Sequence, residues 1–340
     1  KNSAADLATV PKGLAGITKA HSAVNATPWA FISLALAMMM GTASLPHVMM
    51  RYFTTPSVKA ARKSVGWSLF FIFLLYSSAP MLATLSKLSL IDPTLPTGII
   101  GKSFAEVQSI DWFQNWNQAN LMFISDFNGN GTLELNEFFM GGKAVVLATP
   151  EIAGLPYVIS GLVAAGGMAA AMSTADGLIL AIANAISHDV YYKMIDPKAE
   201  TAKRLLVARV LLVVIGFAGA TIAAMEIQGI LGSVIWAFDF AMSGLFFPLV
   251  LGVWWKRANR EGAIAGMVLG LGSAIWYLVW VRTGGSGFLG LTQLTFGIFG
   301  AAVSCIAMVV VSLMTSAPEA AIQKMVDEVR IPSGKTVTGK

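Results

Sequence analysis

Apolar residues in this chain fall in long runs rather than alternating or spacing themselves along one helix face, and short polar stretches separate the runs. A bilayer core about 30 Å thick is crossed by roughly 20 residues of helix. Seven runs qualify, near 28–50, 65–86, 157–188, 205–225, 229–254, 262–281 and 291–314. The third is long enough to tilt strongly or to break at Gly166-Gly167. The first ends in Leu45-Pro46-His47, which a spanning helix tolerates only if neighbouring groups re-satisfy the backbone bond that proline removes. Between the second and third runs lie about 70 residues, far beyond an ordinary loop, so that segment folds outside the membrane. The expected division is therefore 1–90 (an outer segment and two spans), 91–150 (an external loop domain), 151–315 (five spans) and 316–340 (a tail).

Composition supports a membrane protein. Of 340 residues, 56% are hydrophobic and 12% charged, about half the charge density of a soluble domain. Intrinsic disorder is excluded by the hydrophobicity, and a disulfide scaffold by the single cysteine, Cys305, inside an apolar run. The net charge of +5 does not point to nucleic acid, because the basic residues are scattered through short loops rather than clustered on one face. Their distribution gives an orientation instead. Arg51, Lys59, Arg62, Lys63, Lys193, Lys198, Lys203, Arg204, Arg209, Lys256, Arg257, Arg260, Lys324, Arg330, Lys335 and Lys340 fall on one side, against Lys1, Lys12, Lys19, Lys87, Lys102, Lys143 and Arg282 on the other. The richer side is expected to be cytoplasmic, with residue 1 outside and the C-terminus inside. In the tail, Ile322, Met325, Val326 and Val329 recur at helical spacing, as in an interfacial helix or a helix packed on the inner loops. The chain opens Lys1-Asn2-Ser3 and reads as the C-terminal portion of something longer.

The external segment is acidic and holds one specific motif. From Asp126 to Glu137 the residues fit a twelve-residue EF-hand loop: oxygen side chains on Asp126, Asn128, Asn130 and Glu134, Gly131 at the sharp turn, Leu133 at the apolar eighth position and Glu137 at the twelfth. Calcium takes six to eight hard oxygens, and with the Thr132 carbonyl the loop supplies such a set. The competing reading is an Asn-Gly turn in an acidic loop. Gly141-Gly142 would stop an exiting helix early, and no second loop is present to pair with.

Within the spans, Ala170, Ser173 and Thr174 stand at i, i+3 and i+4, so a freed carbonyl and two hydroxyls can converge on a cation. Equally, such hydroxyls bond back to their own helix carbonyls. Asp176 and Asp239 are carboxylates inside apolar runs, each costing roughly 2.5–3.5 kcal/mol even on lenient insertion scales. A cation, proton or substrate role is open for both, and so is structural pairing; Trp236 lies one turn from Asp239, while Glu226 and Asp189 sit at span ends. Gly262, Gly266 and Gly270 form a GxxxGxxxG packing stripe. No nucleophile–base pair or metal-ligand cluster that would suggest an enzyme appears in the spans.

Three blocks in order resemble the sodium:solute symporter family, with its acetate-permease-like branch nearest: Gly41-Thr42-Ala-Ser44-Leu45-Pro46-His47 through Phe53, Ala170 through Asp176 followed by Ser187-His188-Asp189-Val190-Tyr191, and Phe247-Pro248 through Asn259. The resemblance implies an all-α membrane protein with part of a LeuT-type inverted-repeat fold, in which the first span is a broken helix opening the second repeat. It implies sodium bound by the Ala170 carbonyl and the Ser173 and Thr174 hydroxyls. A substrate and ion pathway would involve Gly41, Thr42, Ser44, Pro46 and His47 and, more loosely, Asp176, Trp236 and Asp239. The remaining contacts would belong to an N-terminal half not contained in this chain. The expected function is sodium-coupled symport of a small organic solute across a bacterial-type inner membrane. A monocarboxylate such as acetate is expected first, and an amino acid such as proline or a symporter-like sensor domain are the alternatives.

Overall fold

A computed structural model describes residues 28–141, 144–225, 227 and 229–329. Residues 1–27, the tail from 330, and Gly142, Lys143, Glu226 and Gln228 lie outside the described residues.

In chain order the helices are α1 (Pro28–Ser44), α2 (Pro46–Met49, continued by a 3-10 turn over Met50–Thr54), α3 (Val58–Ile91), α4 (Phe104–Gln108) and α5 (Asp111–Gln118). Strands β1 (Met122–Ile124) and β2 (Phe138–Met140) pair antiparallel, with Met122 opposite Met140. There follow α6 (Val145–Ile152), α7 (Tyr157–Asn184, widening into a π-helix over Ala185–Ile195), α8 (Thr201–Ala224) and α9 (Ile230–Ala241). A π-helical stretch, Met242–Phe246, joins α9 to α10 (Phe247–Trp254). The chain closes with α11 (Arg260–Arg282), α12 (Gly297–Met314) and the tail helix α13 (Ala320–Val329).

Among the described residues six helices are long and apolar enough to cross a membrane, or seven if a bent pair counts as one span. The bent pair is Pro28–Ser44 with Pro46–Tyr52, at 49°. Proline explains the bend. Pro46 has no N–H to give to the preceding turn, Leu45 takes an extended conformation at φ −71°, ψ 117°, and the chain restarts when Val48 and Met49 donate to the Leu45 carbonyl at 3.1 and 3.3 Å. Of the two possibilities open for the third span, the break is not seen: α7 passes through Gly166-Gly167 and widens only after Asn184. The last helix begins at Gly297 rather than near 291. Ahead of it the apolar connector turns across Tyr277, whose hydroxyl receives the Phe288 N–H at 2.8 Å, and Leu291 and Phe296 are buried beside it.

The packing separates into two units. The first takes in Lys63–Thr174 among the described residues. The part between α3 and α7 closes over a core of Leu90, Ile99, Val107, Phe113, Met122 and Leu133, and Trp116 Nε1 donates to Glu151 at 3.0 Å. The hairpin was not expected from the sequence.

The second unit comprises 28–62 and 175–329. There α11 and α12 meet along the predicted glycine stripe: a Cβ at Gly266 would lie 3.1 Å from the Met308 Cβ and the Ser304 carbonyl, and one at Gly262 2.8 Å from the Met308 carbonyl. The loop after α10 clamps this pair. Arg257 donates to the Thr315 carbonyl at 2.6 Å, and the Asn259 amide donates to Thr315 Oγ1 at 2.6 Å while its Oδ1 caps the Gly262 N–H at 2.9 Å. Of the two readings open for the tail, packing is seen: Val326 is buried and Lys256 pairs with Asp327 at 2.8 Å. Met325 and Val329 remain exposed on α13.

Candidate functional site

The broken span brings several of the expected pathway residues to one place. Gly41 is buried where α1 crosses α9, and a Cβ there would lie 2.6 Å from the Phe238 carbonyl. A residue with any side chain would hold the two backbones apart. Ser44 is buried and Thr42 exposed, and each hydroxyl donates to a carbonyl one turn back, Met40 and Met38, both at 2.6 Å. Past the bend, His47 is half-buried with Nδ1 inaccessible and unpartnered. Its ring and the Arg51 guanidinium lie against Gly177 of α7, 3.6–3.8 Å from where a Cβ would be. Asp176, the preceding residue, is exposed.

Trp236 and Asp239 part company. Trp236 donates from Nε1 to the Gln293 carbonyl at 2.7 Å and lies under the Arg282 guanidinium at 5.1 Å, so it is tied to the connector ahead of α12. Asp239 is fully buried, and neither carboxyl oxygen has a hydrogen-bond partner. Its Oδ1 lies against Gly297, the first residue of α12.

The Ala170, Ser173 and Thr174 oxygens share one exposed face of α7. The helix is unbroken here, and the Thr174 hydroxyl donates to the Ala170 carbonyl at 3.1 Å, the back-bond that competed with ion binding. Three oxygens are about half of what a hard cation takes.

The Asp126–Glu137 loop is flanked differently from an EF-hand. It links β1 to β2, and β2 stands where a helix would leave an EF-hand. Inside it, Asp126 accepts from the Gly129 and Gly131 N–H groups at 2.7 and 3.1 Å, Asn128 from Asn130 at 2.9 Å, and Asn130 from Thr132 at 2.7 Å. Positive φ at Gly129 and Gly131 makes the turn possible. Glu137 is fully buried, its oxygens accepting from the Phe127 and Glu134 N–H groups at 3.0 and 2.9 Å. Glu134 accepts from the Asn130 amide, and Leu133 is in the core. No cluster of three or more His, Cys, Asp or Glu poised for a metal occurs among the described residues.

Sequence comparison decides the family. Residues 143–270 match the model of the sodium:solute symporter family. This stretch belongs to the sodium:solute symporter family. The chain is 41% identical over 310 residues to an uncharacterized symporter of Cupriavidus necator, covering 88% of this chain and 44% of that protein. It is 28% identical over 257 residues to a monocarboxylic acid transporter of Corynebacterium glutamicum, covering 75% of this chain and 39% of that one. The chain thus spans less than half the length of these symporter relatives. The matched stretch contains Ala170–Asp176 and Asp239.

Two parts of this symporter stretch were missed in the sequence. The π-helical segments Ala185–Ile195 and Met242–Phe246 place His188 and Asp189, 3.0 Å apart, and buried Ser243. The Ser187-His188-Asp189 run drew attention by resemblance, but a change of helix pitch over so few residues leaves no periodic signal in the sequence.

Proposed function

We propose that this chain is part of a secondary active transporter that carries a small monocarboxylate, such as acetate, together with sodium. The observation that carries the reading is the apolar span bent at Leu45–Pro46, in a chain similar to a symporter and to a monocarboxylic acid transporter. Non-helical backbone inside a membrane persists only where it is buried in protein or lines a cavity, and transporters place substrate at such breaks. In this reading the fold is part of a LeuT-type inverted repeat, and Gly41, Thr42, Ser44, Pro46 and His47 form the substrate-facing stretch. The Ala170 carbonyl and the Ser173 and Thr174 hydroxyls are one wall of the sodium site. The remaining ligands come from an N-terminal half of the same transporter. Asp176 and Asp239 belong to the ion pathway, with Trp236 fixing the end of α9. The protein sits in the inner membrane with its C-terminus in the cytoplasm.

The test uses the full-length protein in proteoliposomes and labelled acetate, with an inward sodium gradient against choline. Sodium-driven acetate uptake, lost on combining Ser173→Ala with Thr174→Ala, is the expected result. Uptake of acetate indifferent to sodium, or to both substitutions, overturns the coupling; uptake of proline instead overturns the substrate class.

The external loop is proposed to hold a structural calcium ion through Asp126, Asn128, Asn130, Thr132, Glu134 and Glu137. The burial of Glu137 with both oxygens turned back onto the loop backbone supports it. With two Asn among the ligands the affinity is expected near 10⁻⁴–10⁻³ M, about the range of extracellular modules. Millimolar calcium should raise the melting temperature, and a Glu137→Gln protein should not respond; an unchanged wild-type melting temperature overturns the proposal.

A further inference from the structure

Asp239 lies ten residues into the 25-residue span Ile230–Trp254 and is packed from every side. Glycines make this packing possible. Gly41 of α1 meets the Phe238 backbone, and Gly297 of α12 meets Asp239 itself, with a would-be Cβ 2.7 Å from the Asp239 Cα. One turn on, Ser243 is wedged against Gly270 of α11 and Gly300 of α12, and its hydroxyl donates to the Asp239 carbonyl at 2.6 Å and the Gly297 carbonyl at 3.1 Å. Ser243 therefore satisfies backbone groups around the carboxyl and leaves the carboxyl without a donor. The Gly297 N–H faces it without reaching hydrogen-bond geometry.

The charges around this group are few. Among the described residues α1 and α10 carry no ionisable side chain, and α12 carries only Cys305. On α11, Arg260 and Glu261 stand at the opposite end from Tyr277 and Arg282. Tyr277 is engaged with the connector, and Arg282 is stacked on Trp236. Among the described residues no cation faces the carboxyl, and with zero exposure none of them can reach it without repacking. A metal ion would need several further oxygens and room beside them, and here Oδ1 is closed off by Gly297. An ionised carboxylate in such a place costs several kcal/mol, whereas a neutral acid needs no counter-ion.

We propose that Asp239 is a proton-binding site, holding a proton on its carboxyl while α1, α9 and α12 are packed together and releasing it to water when that junction opens. The bend at Leu45–Pro46 follows Gly41 by one turn, so the loading of Asp239 is linked to the position of the broken span. Only this last link rests on the symport reading; the protonation does not.

The test is infrared spectroscopy and thermal unfolding of the full-length protein in detergent across about pH 5 to about pH 9. Wild type should show a protonated carboxylic C=O band that is missing from Asp239→Asn and displaced in Asp239→Glu. A carboxyl held neutral in the fold but ionised when unfolded binds more protons folded, so its stabilisation is greatest at low pH and falls as pH rises. The wild-type melting temperature should therefore drop relative to Asp239→Asn as pH rises. If Asp239→Asn fails to fold, Asp239→Ser serves the same comparison. Identical spectra, with melting curves that run parallel across the pH range, show a permanently ionised cap of α12 and overturn the proposal. Loss of the band in the variant together with sodium-independent acetate uptake in the wild type would keep the proton site and sink the sodium symport reading alone.

Discussion

Substituting Gly270→Ala tests whether the glycine stripe sets the spacing of α11 and α12. A Cβ at Gly270 would meet the Ser243 carbonyl of the π segment and lie 2.6 Å from the Ser304 Cβ of α12. Carbon atoms sit about 3.5–4.0 Å apart at best separation, so the helices must part by roughly 1 Å. Overpacking of this kind costs about 1–3 kcal/mol. Alanine also favours a helix over glycine by about 1 kcal/mol, which masks part of the loss. Gly272→Ala removes that ambiguity, because it lies two residues away on the same helix with nothing within 4 Å of its would-be Cβ. The propensity gain is common to both variants and cancels, leaving Gly270→Ala less stable than Gly272→Ala by about 1–3 kcal/mol. Unfolding of the purified protein in mixed micelles with a rising fraction of denaturing detergent measures the difference. Equal midpoints, or a higher one for Gly270→Ala, would refute the close-approach argument.

Asn259→Ala removes both the cap on α11 and the amide bonds to the end of α12; a loss of about 1–2 kcal/mol is expected in the same assay. Arg257→Lys should recover little of what Arg257→Ala loses, because the guanidinium reaches the Ser316 and Thr315 carbonyls through two different nitrogens; equal stability of the Lys variant and wild type counts against this. Lys256→Ala should change stability by less than about 1 kcal/mol, since both partners of the Asp327 pair are about half exposed, and any effect should fade in high salt. Without calcium, Glu137→Gln should destabilise the external part by about 1.5–3 kcal/mol, the worth of hydrogen bonds to a charged group, read as earlier proteolysis of that part in a denaturant series.

The spans were legible because hydropathy is a sum over some 20 residues and tolerates local irregularity. The break was legible at Pro46 for the opposite reason: one missing N–H acts locally, whatever surrounds it. Gly262, Gly266 and Gly270 announced a packing face through spacing alone, but their partners on α12, Ser304, Met308 and Ser312, are unremarkable in sequence. The burial of Asp239 could be inferred from its place in an apolar run, whereas its lack of any partner could not, because Gly297 reaches it only through the tertiary fold. The ligand-like spacing of Asp126–Glu137 was visible, but the hairpin that carries it depends on the pairing of Ile124 with Phe138 across the thirteen residues between them. The exposed face bearing Ser173 and Thr174 shows how far the sequence reading went: spacing placed three oxygens together, and completing a cation's shell needs groups beyond them.

The glycine contacts between α11 and α12 also limit how this unit can deform. Two helices separated by ordinary side chains can slide past each other by small rotamer adjustments. Here the backbone of one lies in notches cut into the other, so an axial slip would drive Met308 or Ser304 out of its notch and into the ridge beyond. Shear between these helices is thereby locked out, and hinge motion is left as the available mode. The Leu45 junction, with its extended backbone between two short helical rods, is where the chain offers such a pivot.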